Sequence, residues 1–227
     1  MLTTQDDVFG KSEGDAWFQR NVACLSDVDH PDRMLDILSR LDEREGINSV
    51  CEVGCAHGWR LARLPEALPN VQRRAGFDLS AAAIEDGMRR CPELELRVGG
   101  ASAPPFHEQF DLVIVNFVLH WVDRSLLLKT LAAVDDLVAP GGWLAVGDFL
   151  PDSPCRRRYH HRPDVELYTY KQDYSAAFTA TGLYREVSRS VHHHADTGHG
   201  LQAADAGDRA VCVLLHKPVQ AYAEQRG

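Results

Sequence analysis

The alternation of short apolar runs with helix-like patterns constrains the fold of this chain more than any other feature. Five runs, NSVCEVG, RRAGFDL, LELRV, FDLVIVNF and WLAVGDFL, have the length and apolar content of strands. Most segments between them carry apolar residues every three or four positions, which is typical of helices. Two further strand patterns, YREVSRSVHHH and RAVCVLLHK, follow near the C-terminal end. This order predicts an α/β fold with a doubly wound, seven-stranded, mostly parallel sheet and a terminal antiparallel hairpin.

Individual residues give finer expectations. Ser80 is expected to cap the helix AAAIEDGMRR, in which Ile84 and Met88 lie one turn apart. We expect residues 151–170 to be irregular, because they carry many Arg, His and Tyr residues and no clear period. The pattern KQDYSAAFTATG predicts a helix that ends at Gly182.

Composition excludes several classes of protein. The net charge of -9 and the pI of about 5.6 argue against general binding to nucleic acid, whose phosphates repel an acidic chain. No apolar run approaches the ~18 residues that span a bilayer, and the acidic start MLTTQDDVFGKSEGD is unlike a signal peptide. We therefore expect a cytoplasmic protein without a membrane partner. The cysteines show no framework spacing, as suits reduced thiols; they are Cys24, Cys51, Cys55, Cys91, Cys155 and Cys212.

A glycine-containing turn follows the first strand. Gly54 and Gly58 lie where the chain must turn sharply and let a ligand approach the backbone. Glu52 stands at the end of the first strand, and Asp78 ends the second, where carboxylates commonly accept hydrogen bonds from ribose hydroxyls. This arrangement predicts an adenosine-containing ligand. The turn lacks the G-x-G-x-x-G spacing of dinucleotide folds, which disfavours a nicotinamide-dependent oxidoreductase.

Two alternatives remain open within this turn. Cys51 and Cys55 could form a redox or metal pair, although one is expected in the strand and the other in the loop. His57 could act as a catalytic base, but a loop residue that packs near the ligand is the favoured interpretation.

Four motifs in order resemble those of class I S-adenosylmethionine-dependent methyltransferases. VCEVGCAHG is similar to the first motif of that family, an acid, one residue and then G-x-G-x-G, and GFDLS is similar to the second. VGGASAPPFHEQFDLVIVNFVLHWV resembles the G-D-A-x-x-L-P-F element that leads into strand four, and LVAPGGWLAV resembles the L-x-P-G-G turn. The resemblance covers about residues 48–150 and implies the Rossmann-like methyltransferase fold, an S-adenosylmethionine cofactor and methyltransferase activity.

The resemblance also implies roles for particular residues. Glu52 would hold the amino end of the methionine moiety, Asp78 the ribose, and Asn116 would lie beside the methionine. Trp17 and Arg20, in the N-terminal SEGDAWFQRN, are candidates for a lid over the cofactor, with an aromatic pair that packs into the core as the alternative interpretation of this helix. The residues expected around the cofactor loop and the adenine are Gly54, Cys55, Ala56, Gly58, Leu79, Gly100 and Ala101.

Two departures from the family pattern generate expectations of their own. Ala56 replaces the middle glycine, so we expect it to keep a negative φ. Gly100 replaces the acid that usually accepts the adenine amino group, so we expect the adenine to be held by backbone and packing alone.

Candidates for the acceptor side come from the end of strand four and the region after strand five. His120, His160 and His161 are the candidate bases, with structural histidines as the alternative. A basic island of Arg156, Arg157, Arg158 and Arg162 is either a solvated charge run or an anion-binding wall. The segment His192–His194, with Asp196 and His199, has a metal-compatible spacing, but adjacent strand residues point to opposite faces, so no metal site is predicted.

These observations predict a single domain: an N-terminal helical lid (1–45), a cofactor-binding half (46–150), and a substrate side with the terminal strands (151–227). The predicted activity is methyl transfer to an oxygen or nitrogen atom of a small, anionic molecule, such as a sugar nucleotide, a carrier-bound group or a natural-product-like acceptor. An RNA methyltransferase and a non-catalytic, methyltransferase-like partner protein are the alternatives. The oligomeric state is left open.

Overall fold

A computed structural model gives the fold and describes residues 4–27, 31–194 and 208–222. The helices are α1 (Gln5–Val8), a π-helical turn (Phe9–Glu13), α2 (Gly14–Leu25), α3 (Arg33–Ser39), α4 (Trp59–Ala67), α5 (Ala81–Arg90), α6 (Leu127–Leu137) and α7 (Ser175–Thr179). The strands are β1 (Ser49–Val53), β2 (Arg73–Asp78), β3 (Glu95–Val98), β4 (Phe110–Asn116), β5 (Val138–Phe149), β6 (Cys155–Arg158), β7 (Tyr168–Lys171), β8 (Arg185–His193) and β9 (Arg209–His216). Short 3₁₀ turns lie at Asp42–Gly46 and Leu119–Trp121. The segment from α1 to α2 is called the N-terminal helices below.

The main sheet has seven strands in the order β3-β2-β1-β4-β5-β9-β8. The five strands from β3 to β5 are parallel, and β9 is antiparallel to both β5 and β8. The predicted sheet and its terminal hairpin are confirmed. The strand order reverses between β1 and β4, which creates a crevice beyond their carboxyl ends.

Both faces of the sheet are covered, which explains the continuous apolar run of β4. Val113 and Val115 pack into the core on one face, whereas Leu112 and Ile114 pack into the core on the other. All four side chains are fully buried. Because successive strand residues alternate between faces, a strand covered on both sides needs an apolar residue at every position.

Helix α5 begins as predicted but presents a different face to the sheet. The Ser80 hydroxyl accepts a hydrogen bond from the N–H of Ala83 at 3.0 Å, which is the predicted cap. Met88, however, is 54% exposed. The helix packs closely at Gly87, where an added Cβ would lie 2.5 Å from both the carbonyl oxygen of His57 and Cδ1 of Leu96 in β3.

The expectation that residues 151–170 are irregular is wrong for two short strands, whereas 151–154 and 159–167 contain no helix or strand. Strands β6 and β7 pair antiparallel in a separate two-stranded sheet, the β6–β7 hairpin. Beyond the paired residues, Tyr159 and Leu167 are buried together with Val8 of α1, so the hairpin gains an apolar contact that sequence periodicity does not reveal. Because β7 extends to Lys171, the helix that follows is limited to α7 and ends before Gly182.

The buried Gln5 and the partly buried Asp15 attach the N-terminal helices to distant parts of the chain. Gln5 donates to the carbonyl oxygens of Trp121 (2.6 Å) and Tyr168 (3.0 Å), and its own oxygen accepts from the N–H of Tyr168 at 2.7 Å. Asp15 accepts from the hydroxyl of Ser80 at 2.6 Å, at the start of α5. The N-terminal helices are thereby held over the carboxyl edge of the sheet. Among the residues that the structure describes, no helix combines the length and apolar character that a membrane crossing requires.

Candidate active site

A cavity of about 350 Å³ opens at the carboxyl edge of the sheet, where β1 and β4 diverge. This volume is within the range of small-molecule sites. Phe9 and Trp17 line it, so the N-terminal helices form part of its wall. Seven of the predicted cofactor-binding residues line the cavity: Trp17, Gly54, Ala56, Asp78, Leu79, Ala101 and Asn116.

The turn after β1 adopts a left-handed backbone at Gly54 (φ 69°), Ala56 (φ 50°) and Gly58 (φ 77°). The expectation that Ala56 keeps a negative φ is therefore wrong. Its N–H donates to the Asp78 carboxylate at 2.9 Å, and that charge-assisted bond holds the residue in place. A non-glycine residue in this region costs about 1–2 kcal/mol, which the turn tolerates at one position.

Gly58→Ala is expected to lower the free energy of unfolding by about 2 kcal/mol, because it adds left-handed strain and a steric conflict. A Cβ at this position would lie 2.8 Å from Cδ1 of Leu94. Urea denaturation measures the change. The matched variant Ala56→Gly removes strain without adding an atom, so its stability should stay within about 1 kcal/mol of wild type. Equal stability of the Gly58 variant and wild type would contradict this account of the turn.

Asp78 joins the ends of β1 and β2. Its carboxylate accepts hydrogen bonds from the N–H groups of Ala56 (2.9 Å) and Ser80 (2.8 Å). Burial raises the pKa of Asp78 above its usual range, and these two N–H groups oppose that rise. Each carboxylate oxygen has two lone-pair sites, so the group keeps capacity for the hydroxyls of a ribose.

A buried ionic triad closes the cavity beside β1. Arg60 pairs with Glu52 and donates through Nε to Asp32 at 2.7 Å. Asp32 and Arg60 line the cavity, and Glu52 lies behind them with its Oε2 buried and unbonded. Burial raises the pKa of Glu52 to about 7, although the Arg60 guanidinium opposes the rise. Two carboxyl groups surround one guanidinium, so the triad is suited to a further cation.

The thiols and the histidine of the turn are packing residues. Cys51 and Cys55 are buried, and burial raises the pKa of both thiols, which keeps them protonated. His57 lies with its ring centroid 5.5 Å from that of Phe18, and burial lowers its pKa. His57 does not line the cavity. Among the described residues, no group of three or more His, Cys, Asp or Glu side chains is arranged to hold a metal ion.

Asn116, the last residue of β4, lines the cavity and carries an unbonded acceptor. Its Oδ1 is buried without a hydrogen-bond partner. A Cβ at Gly147 of β5 would overlap this oxygen, so the glycine leaves the space that Asn116 fills. Unsatisfied buried acceptors are rare in folded proteins, and one that faces a cavity is suited to a ligand donor.

An aromatic wall follows directly after β4. Phe117 has a φ of 55°, which costs a bulky residue of the order of 1–3 kcal/mol and is typical of functional sites. Its ring contacts Phe149 and His194 at centroid distances of 5.2 and 4.7 Å. The cavity is also lined by Phe117, Trp121 and His192–His194. These residues come from the segment after β4 and from the end of β8, whereas the glycine turn follows β1.

His120 is held by a buried carboxylate. Its Nδ1 lies 2.9 Å from Oδ1 of Asp148, and its backbone N–H donates to the other oxygen at 3.2 Å. Because a carboxylate accepts hydrogen bonds, Nδ1 carries the proton and Nε2 carries the lone pair. The ring is 3% exposed and lies behind two cavity residues, 6.0 Å from the ring of Phe117 and 4.7 Å from that of Trp121.

The other predicted site residues lie outside the cavity wall. Arg20 pairs with Glu13 and donates to the hydroxyl of Tyr159 at 2.8 Å, which fastens the N-terminal helices to the β6–β7 hairpin. His160 and His161 stack on each other at 3.9 Å on an exposed turn of that hairpin. The predicted cofactor residues that do not line the cavity are Arg20, Glu52, Cys55, Gly58 and Gly100.

The basic island forms an outer surface of the molecule. Arg156, Arg157 and Arg158 are exposed on β6, and Arg156 lies over the ring of Tyr168 at 4.3 Å. Arg162 pairs with Asp164 instead. None of these four arginines lines the cavity. Asp196 and His199 fall outside the described residues.

Solved structures share this fold. The 1,6-didemethyltoxoflavin-N1-methyltransferase of Burkholderia thailandensis aligns with a TM-score of 0.65 and 14% identity, over 96% of this chain and 92% of that chain. The N-methyltransferase NodS of Bradyrhizobium japonicum, solved with S-adenosylhomocysteine, aligns with a TM-score of 0.55 and 18% identity, over 88% of this chain and 98% of that chain.

Sequence comparison agrees with the fold. A family model described as a methyltransferase domain matches residues 50–142. A malonyl-[acyl-carrier protein] O-methyltransferase of Alcanivorax borkumensis is 30% identical over 165 residues, which cover 68% of this chain and 55% of that protein. The chain belongs to the class I S-adenosylmethionine-dependent methyltransferases. This methyltransferase chain spans about half the length of its curated relative.

The cofactor of this methyltransferase family, S-adenosylmethionine, fits the donor set of the cavity. Asp78 would accept from ribose hydroxyls, and Glu52 and Asn116 carry unbonded oxygens that would accept from the amino end of the methionine moiety. Asp32 and Arg60 line the cavity next to Glu52, although sequence reasoning missed both. One feature of the sequence could have indicated an internal partner for Glu52: a basic residue, Arg60, stands two positions after Gly58.

Proposed function

We propose that this chain transfers the methyl group of S-adenosylmethionine to an oxygen or nitrogen atom of a small, anionic molecule. One observation carries the proposal: a single cavity is lined by the cofactor-type turn with Asp78 and also by the aromatic wall that includes Phe117 and Trp121. Such a cavity offers room for an acceptor beside a cofactor. The curated relative is named for methylation of an oxygen atom and the Burkholderia structure for methylation of a nitrogen atom, which supports either acceptor atom.

The residues proposed to bind the cofactor act mainly by holding it in position for the transfer. Bound S-adenosylmethionine supplies an electrophilic methyl group, and the chain aligns the acceptor with it and excludes water. Asp78 accepts from the ribose hydroxyls, Leu79 packs beside the adenine, and Asn116 accepts near the methionine moiety. The N-terminal helices, through Trp17, cover the cofactor.

The ionic triad would bind the ammonium group of the methionine moiety. Glu52 and Asp32 together carry two carboxyl groups against the one guanidinium of Arg60. An added ammonium group beside Asp32 and Arg60 would balance the net negative charge of the triad when Glu52 is ionised.

S-adenosylhomocysteine is expected to bind about tenfold more tightly at pH 8 than at pH 6, and calorimetry measures the difference. Since the pKa of Glu52 is raised to about 7, the carboxyl is mostly protonated at pH 6 and ionised at pH 8. The ammonium group of the ligand favours the ionised form, so affinity rises with pH. Glu52→Gln should bind more weakly and lose this pH dependence. An affinity in wild type that is equal at both pH values would argue against the ammonium role.

A base is needed only when the acceptor must lose a proton. Of the three predicted bases, we propose His120 for this role, because Asp148 fixes its tautomer and leaves Nε2 as the acceptor. His160 and His161 lack such a carboxylate partner in the contacts described above and lie on an exposed turn.

The anionic character of the acceptor rests on Arg156, Arg157 and Arg158, a local positive surface on a chain of net charge -9. The test uses cofactor with a radiolabelled methyl group and a metabolite extract fractionated on an anion exchanger. We expect label in the anionic small-molecule fraction. The triple Arg→Ala variant should transfer more slowly while it binds S-adenosylhomocysteine normally. Label only in neutral fractions contradicts the anionic assignment, and label in nuclease-sensitive material favours an RNA substrate. Intact cofactor binding without any transfer favours a non-catalytic partner protein.

A further inference from the structure

The carboxylate of Asp6 lies where the side chain missing at Gly100 would point. A Cβ built on Gly100 would lie 3.9 Å from Oδ2 of Asp6 and 3.3 Å from Cδ2 of Leu79. An acidic side chain at position 100 would extend from that Cβ into the same small volume. Asp6 of α1 therefore places a carboxylate in the space beside Gly100, where the sheet edge itself provides no side chain.

Neighbouring residues fix Asp6 in this place. Gln5, the preceding residue, makes hydrogen bonds with the backbone of Trp121 and Tyr168, which sets the position of α1. Asp6 lines the same cavity as Leu79 and Ala101. Its placement is thus a property of the folded core and not of a loose terminal segment.

Asp6 has capacity for another donor. The hydroxyl of Ser102 donates to its Oδ2 at 3.4 Å, which is long for a hydrogen bond to a carboxylate. Burial raises the pKa of Asp6, and the Ser102 hydroxyl opposes that rise. A half-buried carboxylate with a long hydrogen bond is stabilised by any further N–H donor that enters the cavity.

We propose that Asp6 accepts a hydrogen bond from the 6-amino group of the adenine, so that the N-terminal helices determine base specificity in place of position 100. The proposal rests on cofactor binding in this cavity, as set out above. A ribose bound at Asp78 would put its base beside the next residue, Leu79, whose Cδ2 would lie 3.3 Å from a Cβ at Gly100, and Leu79 and Asp6 line the same cavity. The proposal adds one side-chain acceptor to the backbone and packing contacts expected for the adenine.

The test compares S-adenosylhomocysteine with S-inosylhomocysteine, which carries an oxygen in place of the 6-amino group. A carboxylate attracts the amino group and repels the oxygen, so wild type should prefer the adenine compound by about tenfold or more in calorimetry. Asp6→Asn should reduce the preference to about threefold or less, because an amide both donates and accepts. Asp7→Asn is the control, since Asp7 is exposed, pairs with Thr4 and loses the same charge.

A second variant moves the carboxylate back to the sheet edge. Asp6→Ala should lose the preference, and Asp6→Ala combined with Gly100→Asp should regain it. The role of Asp6 is overturned if the preference for the adenine compound persists in Asp6→Asn. It is also overturned if wild type binds S-adenosylhomocysteine without that preference, and in both cases the proposed function still stands. If wild type binds neither compound, the proposed function itself fails.

Discussion

His120→Gln is expected to lower kcat by a factor of about 10²–10⁴ while the affinity for S-adenosylhomocysteine stays unchanged. The proposed base is lost, but the residues that line the cofactor end are untouched. Asp148→Asn should have a similar effect for a different reason. An amide in place of the carboxylate can donate to Nδ1, which would move the proton to Nε2 and remove the acceptor.

The measurement is kcat for the labelled methyl transfer, compared with the melting temperature and the S-adenosylhomocysteine affinity of each variant. His120→Gln should lose kcat while its melting temperature and ligand affinity stay close to those of wild type. The exposed histidines provide controls, because His160→Gln and His161→Gln should leave kcat within about twofold of wild type. A structural role for His120 predicts a lower melting temperature with kcat preserved in the folded protein, and that result would remove it as the base.

Asp78→Ala is expected to weaken the binding of S-adenosylhomocysteine by about 10- to 100-fold. The variant removes the acceptors proposed for the ribose hydroxyls. It also frees the N–H of Ala56, which the carboxylate holds in its left-handed conformation. Asp78→Asn should weaken binding less, because its amide oxygen still accepts.

A matched control exists at the opposite end of the sheet. Asp111 accepts hydrogen bonds from the N–H groups of Asn48 (3.0 Å) and Ser49 (2.9 Å), much as Asp78 does for Ala56 and Ser80. Asp111→Ala should therefore cost comparable stability and leave ligand affinity unchanged. If both variants weaken binding equally, the effect of Asp78 is structural and its ribose role is excluded.

Local sequence patterns predict the parts of this site that lie on neighbouring strands. Glu52 and Asp78 end adjacent parallel strands, so their proximity follows from the strand patterns and the fold alone. The turn at Gly54 and Gly58 follows from the same patterns, because its glycines occupy the left-handed positions. The strand and turn patterns limit the ligand only to an adenosine-containing molecule. The resemblance to the methyltransferase family then identifies this molecule as S-adenosylmethionine.

Contacts between distant segments could not be predicted in this way. Nothing near Glu52 in the sequence indicates that Asp32 also pairs with the Arg60 guanidinium. Likewise, nothing near Gly100 indicates that Asp6 lies beside Gly100. Arg20 was expected at the cofactor and instead donates to the hydroxyl of Tyr159, 139 positions away, a contact that depends on how the helix is docked. Such pairings are set by tertiary packing, for which a single sequence carries no period or motif.

The attachment of the N-terminal helices has a consequence for the order of events during synthesis. Ribosomes complete this segment before the β6–β7 hairpin, yet Gln5 bonds to Tyr168 and Glu13 to Tyr159, more than a hundred positions later in the chain. Contacts this distant in sequence form late, after the long intervening loop has been closed by the folded sheet. The sheet and its ligand edge can therefore assemble first, and the helices that cover the edge join last.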